Sequence, residues 1–116
     1  MTDQRVALLK EYIGKDVHVV VDRPIGYVHG DIEYPVNYGY IKGISAPDGE
    51  EQDAYILGVD TSLSEFTGKV IAVIHRDDDI ENKWVVVPEG IKFSEDEIRE
   101  LTFFQERYFR SHITMI

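Results

Sequence analysis

The sequence predicts a mainly β domain with a helix at each end. Three observations predict it. Short apolar, β-branched runs recur between turn-forming residues, as from Val17 to Val21 and from Ala54 to Val59. Two more runs, Lys69 to His75 and Lys83 to Val87, flank an acidic tip in the manner of a hairpin. Apolar residues at helical spacing are confined to the segment before Gly14 and the segment after Ser94. About five short, mostly antiparallel strands with terminal helices describe a small closed or nearly closed β-barrel. Periodicity alone does not separate that barrel from a sandwich-like α+β domain.

Thr2 or Asp3 can cap a first helix, in which Val6, Leu9 and Ile13 recur at helical spacing and Gly14 supplies a stop. Val17 to Val21 reads as a mostly buried strand that Arg23-Pro24 breaks. Residues 22–33 mix Gly, Pro, Asp and His without a period and read as a loop. A strand follows over Tyr34 to Ile41, and another over Ala54 to Val59, with Gly58 at a bulge or close backbone contact. A polar reversal spans Asp60 to Gly68. Ser94-Glu95-Asp96-Glu97 forms a capping box, and Ile98, Leu101, Phe104 and Tyr108 continue it as an apolar stripe to about Phe109.

With 116 residues, 43% of them hydrophobic, the chain 1–116 has material for one domain and one modest core. A net charge of −10 disfavours nucleic acid and anionic membrane as partners, since those draw on Lys and Arg. The same charge repels a phosphate compound unless cations intervene. No cysteine is present, which removes disulfides, zinc thiolates and a Cys nucleophile. The N-terminal stretch lacks the apolar centre of a signal peptide. These features fit a cytoplasmic protein.

The stretch from Tyr34 to Asp53 carries the densest chemistry. Tyr34, Tyr38 and Tyr40 surround Asn37 and Gly39, and a turn through Pro47 and Gly49 leads to Asp48, Glu50, Glu51 and Asp53. Phenols beside clustered carboxylates suit a cation and an anion held together. Of the histidines, His29 reads as a surface residue, His18 as part of a strand, and His75 as the one near this site.

The block Tyr34-Pro35-Val36-Asn37-Tyr38-Gly39-Tyr40-Ile41 resembles the signature strand of the family I soluble inorganic pyrophosphatases. Asp48-Gly49-Glu50-Glu51-Gln52-Asp53 stands where that family carries Asp-Gly-Asp-Pro-x-Asp. Asp77 to Lys83 is similar to its Asp-x4-Asp-x-Lys block, which crosses the barrel mouth from the first. Phe104-Gln105-Glu106-Arg107-Tyr108 is similar to its Phe-x-Glu-x-Tyr. The resemblance runs from Lys15 to Phe109 and implies a five-stranded barrel of OB-like shape.

It further implies magnesium-dependent hydrolysis of inorganic pyrophosphate, with manganese as an alternative ion. Magnesium would cancel substrate charge and acidify a bound water through a few carboxylate ligands. By resemblance Asp48, Asp53, Glu81 and Asp77 would hold metal, with Asp53 the central ligand. Glu50, with Asp53, would be catalytic, Glu50 standing where the family deprotonates the attacking water. Tyr38, Lys83 and Tyr108 would contact phosphate oxygens and Tyr34 would line the pocket. Asp22 stands for an upstream Glu.

The chain also departs from the pattern. Between Asp22 and Tyr34 there is no room for the longer family segment bearing a Lys, a Glu and an Arg. Glu50 replaces an Asp, Phe109 replaces a Lys, and the second acidic block is one residue short, so strict spacing from Lys83 puts Arg76 at its first Asp. Two other expectations therefore stand beside the hydrolase: a degenerate relative that binds a divalent metal or metal-phosphate without turnover, and an acidic OB-like module that binds protein. A homo-oligomer, in which Arg23, Arg76 or Arg110 of a second copy completes the pocket, fits the short chain.

Overall fold

The computed structural model describes residues 10–12, 15–46, 49–77 and 81–115. Of the expected first helix only residues 10–12 are included, where the Tyr12 ring lies 5.6 Å from that of Trp84. Asp48 lies outside the described residues.

The strands are β1 (Asp16–Arg23), β2 (Val28–His29), β3 (Ile32–Glu33), β4 (Asn37–Ser45), β5 (Glu51–Ile56), β6 (Glu65–Arg76), β7 (Asn82–Val87) and β8 (Ser111–Met115), with one helix, α1 (Glu95–Glu106), before β8. The large sheet runs β1-β4-β5-β7-β6, and β6 pairs back onto β1, so five strands close into a barrel. Every pairing around it is antiparallel except β5 with β7, where Ala54 stands level with Trp84. The length of β6 makes closure possible. Its first residues pair with β1, and its last, from Ala72 to Arg76, pair with β8.

Alternation along the strands sorts the apolar side chains into two cores. Val19, Ile41, Ala54, Ile56, Val73, Trp84 and Val86 come from all five strands and fill the barrel. The intervening residues Tyr38, Tyr55, Leu57, Ile74, Val85 and Val87 face outward and pack with Tyr34 and Ile98 of α1. All six residues of β7 are therefore buried, as in a strand covered on both faces.

Two glycines set how tightly the strands approach. A Cβ on Gly39 would stand 1.9 Å from the carbonyl oxygen of Val20, and one on Gly68 would stand 2.4 Å from that of Val87. Only hydrogen fits at either place.

Several boundaries differ from the expected ones. The strand begun at Tyr34 starts at Asn37 and runs on to Ser45; the next, expected from Ala54 to Val59, already starts at Glu51 and ends at Ile56. Part of the polar reversal, Glu65 to Gly68, is strand, recruited by pairing with β1 rather than by its own propensity. The loop over 22–33 contains the small β2–β3 ribbon, and β8 was not foreseen. The capping box at Ser94 forms as expected, and the helix ends at Glu106. Gly58 follows β5 at φ 89°, where a Cβ would lie 3.1 Å from the ring of Pro88.

Candidate functional site

A cleft of about 460 Å³ opens on the outer face of the barrel beside the end of α1. The second acidic block was expected to cross the barrel mouth; period-2 alternation places the converging side chains on the outer face instead. Tyr38 and Tyr55 are directly paired on β4 and β5, Tyr40 is paired with Asp53, and Arg76 follows Ile74 on the same face of β6.

The parallel pairing of β5 with β7 puts Asp53 and Lys83 at one level, each one step before the paired Ala54 and Trp84. Lys83 Nζ lies 2.5 Å from Asp53 Oδ2 and 3.7 Å from Glu81 Oε2. The Lys83 residue is only 3% exposed, so this pair is shielded from water and salt more than a surface pair. The ammonium also lies 5.7 Å from the Tyr38 ring centroid. Burial, and then the nearby Asp53 carboxylate, push the Tyr38 phenol well above its ordinary pKa, so it stays a neutral donor.

Arg76, at the end of β6, forms the floor. Its Nε donates to Glu106 Oε1 at 3.1 Å and its Nη2 to Glu106 Oε2 at 2.9 Å, while Nη1 donates to Glu81 Oε2 at 2.8 Å. The guanidinium carbon sits 3.6 Å from the centroid of the Phe109 ring. Burial opposes its charge, but the hydrogen bonds and negative charge of Glu106 outweigh burial and hold the guanidinium protonated. Tyr55 donates its hydroxyl to Glu106 Oε2 at 2.6 Å, and burial followed by that carboxylate raises the phenol's pKa.

Hydrogen bonds continue from Tyr55 to the opposite wall. Gln105 Nε2 donates to Tyr55 Oη at 2.7 Å, Tyr34 donates to Gln105 Oε1, and Arg23 Nη1 donates to Tyr34 Oη at 2.6 Å. Hydrogen bonds thus join Arg23, Tyr34, Gln105, Tyr55, Glu106, Arg76 and Glu81, and the 3.7 Å ion contact of Glu81 with Lys83 extends the path to Asp53. Arg23 also stands 5.7, 5.6 and 6.0 Å from the ring centroids of Tyr27, Tyr34 and Tyr38. Desolvation works against its charge, and the hydrogen bond to Tyr34 together with the electrostatic pull of Tyr34, Tyr38 and Tyr27 outweighs it.

The residues named from sequence fall into separate places. Tyr38, Asp53, Glu81, Lys83 and Tyr108 line the cleft, Tyr108 from an exposed position after α1. Tyr34 is buried behind the wall, bonded to Arg23 and Gln105. Glu50 is exposed in the turn before β5 and is not among the lining residues. Asp77 turns away: its carboxylate accepts from His112 Nδ1 at 2.5 Å on the face opposite Arg76. Arg23, Arg76, Gln105 and His29 are lining residues that the sequence did not assign to this chain's own pocket. The one-residue deficit in the second acidic block was the signal for Arg76. His75 instead is buried away from the cleft, stacked at 4.6 Å on His112.

The described donor set does not fit the expected magnesium. No three metal-capable side chains gather among the described residues. Asp53 and Glu81 face each other, but Lys83 lies between them and Glu81 accepts from Arg76 as well. A hard divalent ion takes oxygen ligands in near-octahedral order. Here the chain's own cations occupy those oxygens.

No family model matches this sequence, and no curated protein is similar to it. Solved structures are similar in fold. An inorganic pyrophosphatase from Ehrlichia chaffeensis superposes with a TM-score of 0.71 at 14% identity, covering 90% of this chain and 88% of that one. One from Coxiella burnetii gives 0.65 at 16%, covering 86% and 84%. One from Neisseria gonorrhoeae gives 0.59 at 22%, covering 80% and 73%. The chain therefore has the inorganic pyrophosphatase fold, a five-stranded OB-like barrel.

Proposed function

We propose, on the premise of that fold, that this chain is a hydrolase acting on inorganic pyrophosphate or a related small phosphoanhydride. The observation that carries the reading is the convergence of Tyr38, Asp53, Glu81 and Lys83 in one cleft, from β4, β5 and the start of β7. Lys83 and Arg23 supply positive charge for phosphoryl oxygens. Tyr38, kept neutral by burial, can donate a hydrogen bond to an oxygen as charge builds on it. Asp53 is the carboxylate placed to orient a water, and Tyr108 closes the open side.

Phosphate release from pyrophosphate by the purified chain tests this, with magnesium, with manganese and with chelator. Asp53→Ala should lower the rate about a hundredfold or more, the scale of losing a positioned acid-base group. Equal rates for the two proteins would remove the hydrolase reading.

A second reading, binding of the phosphate compound without turnover, is favoured by the ion pairs that already engage Asp53 and Glu81. Saturable binding of pyrophosphate by calorimetry, with no phosphate released, supports it. Among the described residues no helix is long and apolar enough to cross a membrane.

A further inference from the structure

Resting on the reading of the cleft as a phosphate-compound site, we infer that its cations are built into the chain: Arg76 neutralises the acids, Arg23 receives the anion, and binding needs no divalent metal. Three observations lead there.

Three of the carboxylates at the cleft are already compensated. Asp53 is paired with Lys83, and Glu81 and Glu106 share the Arg76 guanidinium. A guanidinium forked onto one carboxylate and reaching a second sits in a fixed plane, here held further by Phe109. It serves both acids without the geometry a metal demands.

Arg76 also stands at the position that spacing back from Lys83 assigns to an acid, and Asp77 is turned to His112 outside the cleft. An acid at residue 76 would add a ligand beside Glu81. The arginine adds a positive charge there, which repels a second cation.

Arg23 differs from the other two cations. Among the described residues no carboxylate lies within ion-pair distance of it; its neighbours are the hydroxyl of Tyr34 and the faces of Tyr27, Tyr34 and Tyr38. Asp22 lines the same cleft beyond ion-pair distance; desolvation raises its carboxyl's pKa, while a backbone hydrogen bond and the charge of Arg23 work the other way. Tyrosines fix the arginine without cancelling its charge, which is the condition for a preorganised anion receptor. The family segment that resemblance places between Asp22 and Tyr34 is missing, and Arg23 lies where that segment would begin.

Calorimetric titration of sodium pyrophosphate into the purified chain tests the inference, first in EDTA and then in excess magnesium. Saturable binding is expected in EDTA, with magnesium changing the affinity by less than about tenfold. Arg23→Gln should weaken metal-free binding by about ten- to a hundredfold, the scale of one charged hydrogen bond. Arg23→Lys, which keeps the charge, should recover part of that loss, and urea unfolding of both variants shows whether the fold is intact.

Magnesium titrated alone should give no saturable heat, and Arg76→Asp should create a magnesium site that calorimetry detects without substrate. If Arg76→Asp does not fold, the wild-type titration of magnesium alone decides. Pyrophosphate binding only when magnesium is present, saturable binding of magnesium alone, or unchanged affinity in Arg23→Gln overturns the inference while the phosphate-site reading stands. Absence of binding under every condition overturns both.

Discussion

Glu106 is 6% exposed and depends on Arg76 for two of its hydrogen bonds. Arg76→Met should therefore destabilise the chain by about 3–5 kcal/mol, the usual result of leaving one partner of a buried pair behind. Adding Glu106→Gln should restore a good part of that, and urea unfolding of both variants measures it. At Tyr34 the loss is smaller. Tyr34→Phe removes the hydroxyl between Arg23 and Gln105 and should cost about 1 kcal/mol in the same experiment. The family resemblance singled out Tyr38, Asp53 and Lys83, and all three line the cleft. It did not show which of Arg76 and Asp77 enters the cleft. One step along a strand reverses the face, and the length of the turn before Lys83 did not fix the register.

At the scale of elements, α1 shows how far local chemistry reaches. Ser94 accepts from the Glu97 backbone N–H at 3.1 Å, and Glu97 Oε1 accepts from the Ser94 N–H at 2.9 Å. The Ser94 backbone N–H, and after it the Ser94 side chain, stabilise the Glu97 carboxylate and lower its pKa below the ordinary 4.5. A carboxyl depressed in the folded state stabilises above its unfolded value, and that contribution is lost as pH falls through the folded value. Thermal unfolding of wild type and Glu97→Gln should thus differ at pH 7 and converge as the pH is taken below 4.5 towards the folded value. The helix start was legible because the capping box needs only four consecutive residues. β8 was not, because Ser111 to Met115 is mostly exposed and becomes a strand only by pairing with the end of β6. The same holds for Glu65 to Gly68, where β1 imposes the conformation.

Closure governs the whole molecule. β1 must meet both β4 and β6, and the register between them leaves no room at Gly39 for a methyl group facing Val20. Gly39→Ala should force the backbones apart, with a loss of about 1–3 kcal/mol or more and a weaker near-ultraviolet dichroism signal. Gly39 sits within the aromatic block that marked the site from sequence, so part of that pattern records packing rather than chemistry. Strand count and turn placement described a barrel without separating it from a sandwich-like domain, and the resemblance decided between them. Neither placed the cleft, since it needs the long-range pairing of β5 with β7.

That one parallel pairing carries a dynamic corollary. Asp53 and Lys83 meet only when two strands with no short connection lie side by side, and β6 must already span from β1 to β8 around them. A partly opened barrel thus has no recognition surface to offer. A guest that binds should slow amide exchange in β1, β5 and β7 by a common factor, set by its concentration over its dissociation constant. Exchange that slowed in one strand alone would mean that the barrel opens piece by piece.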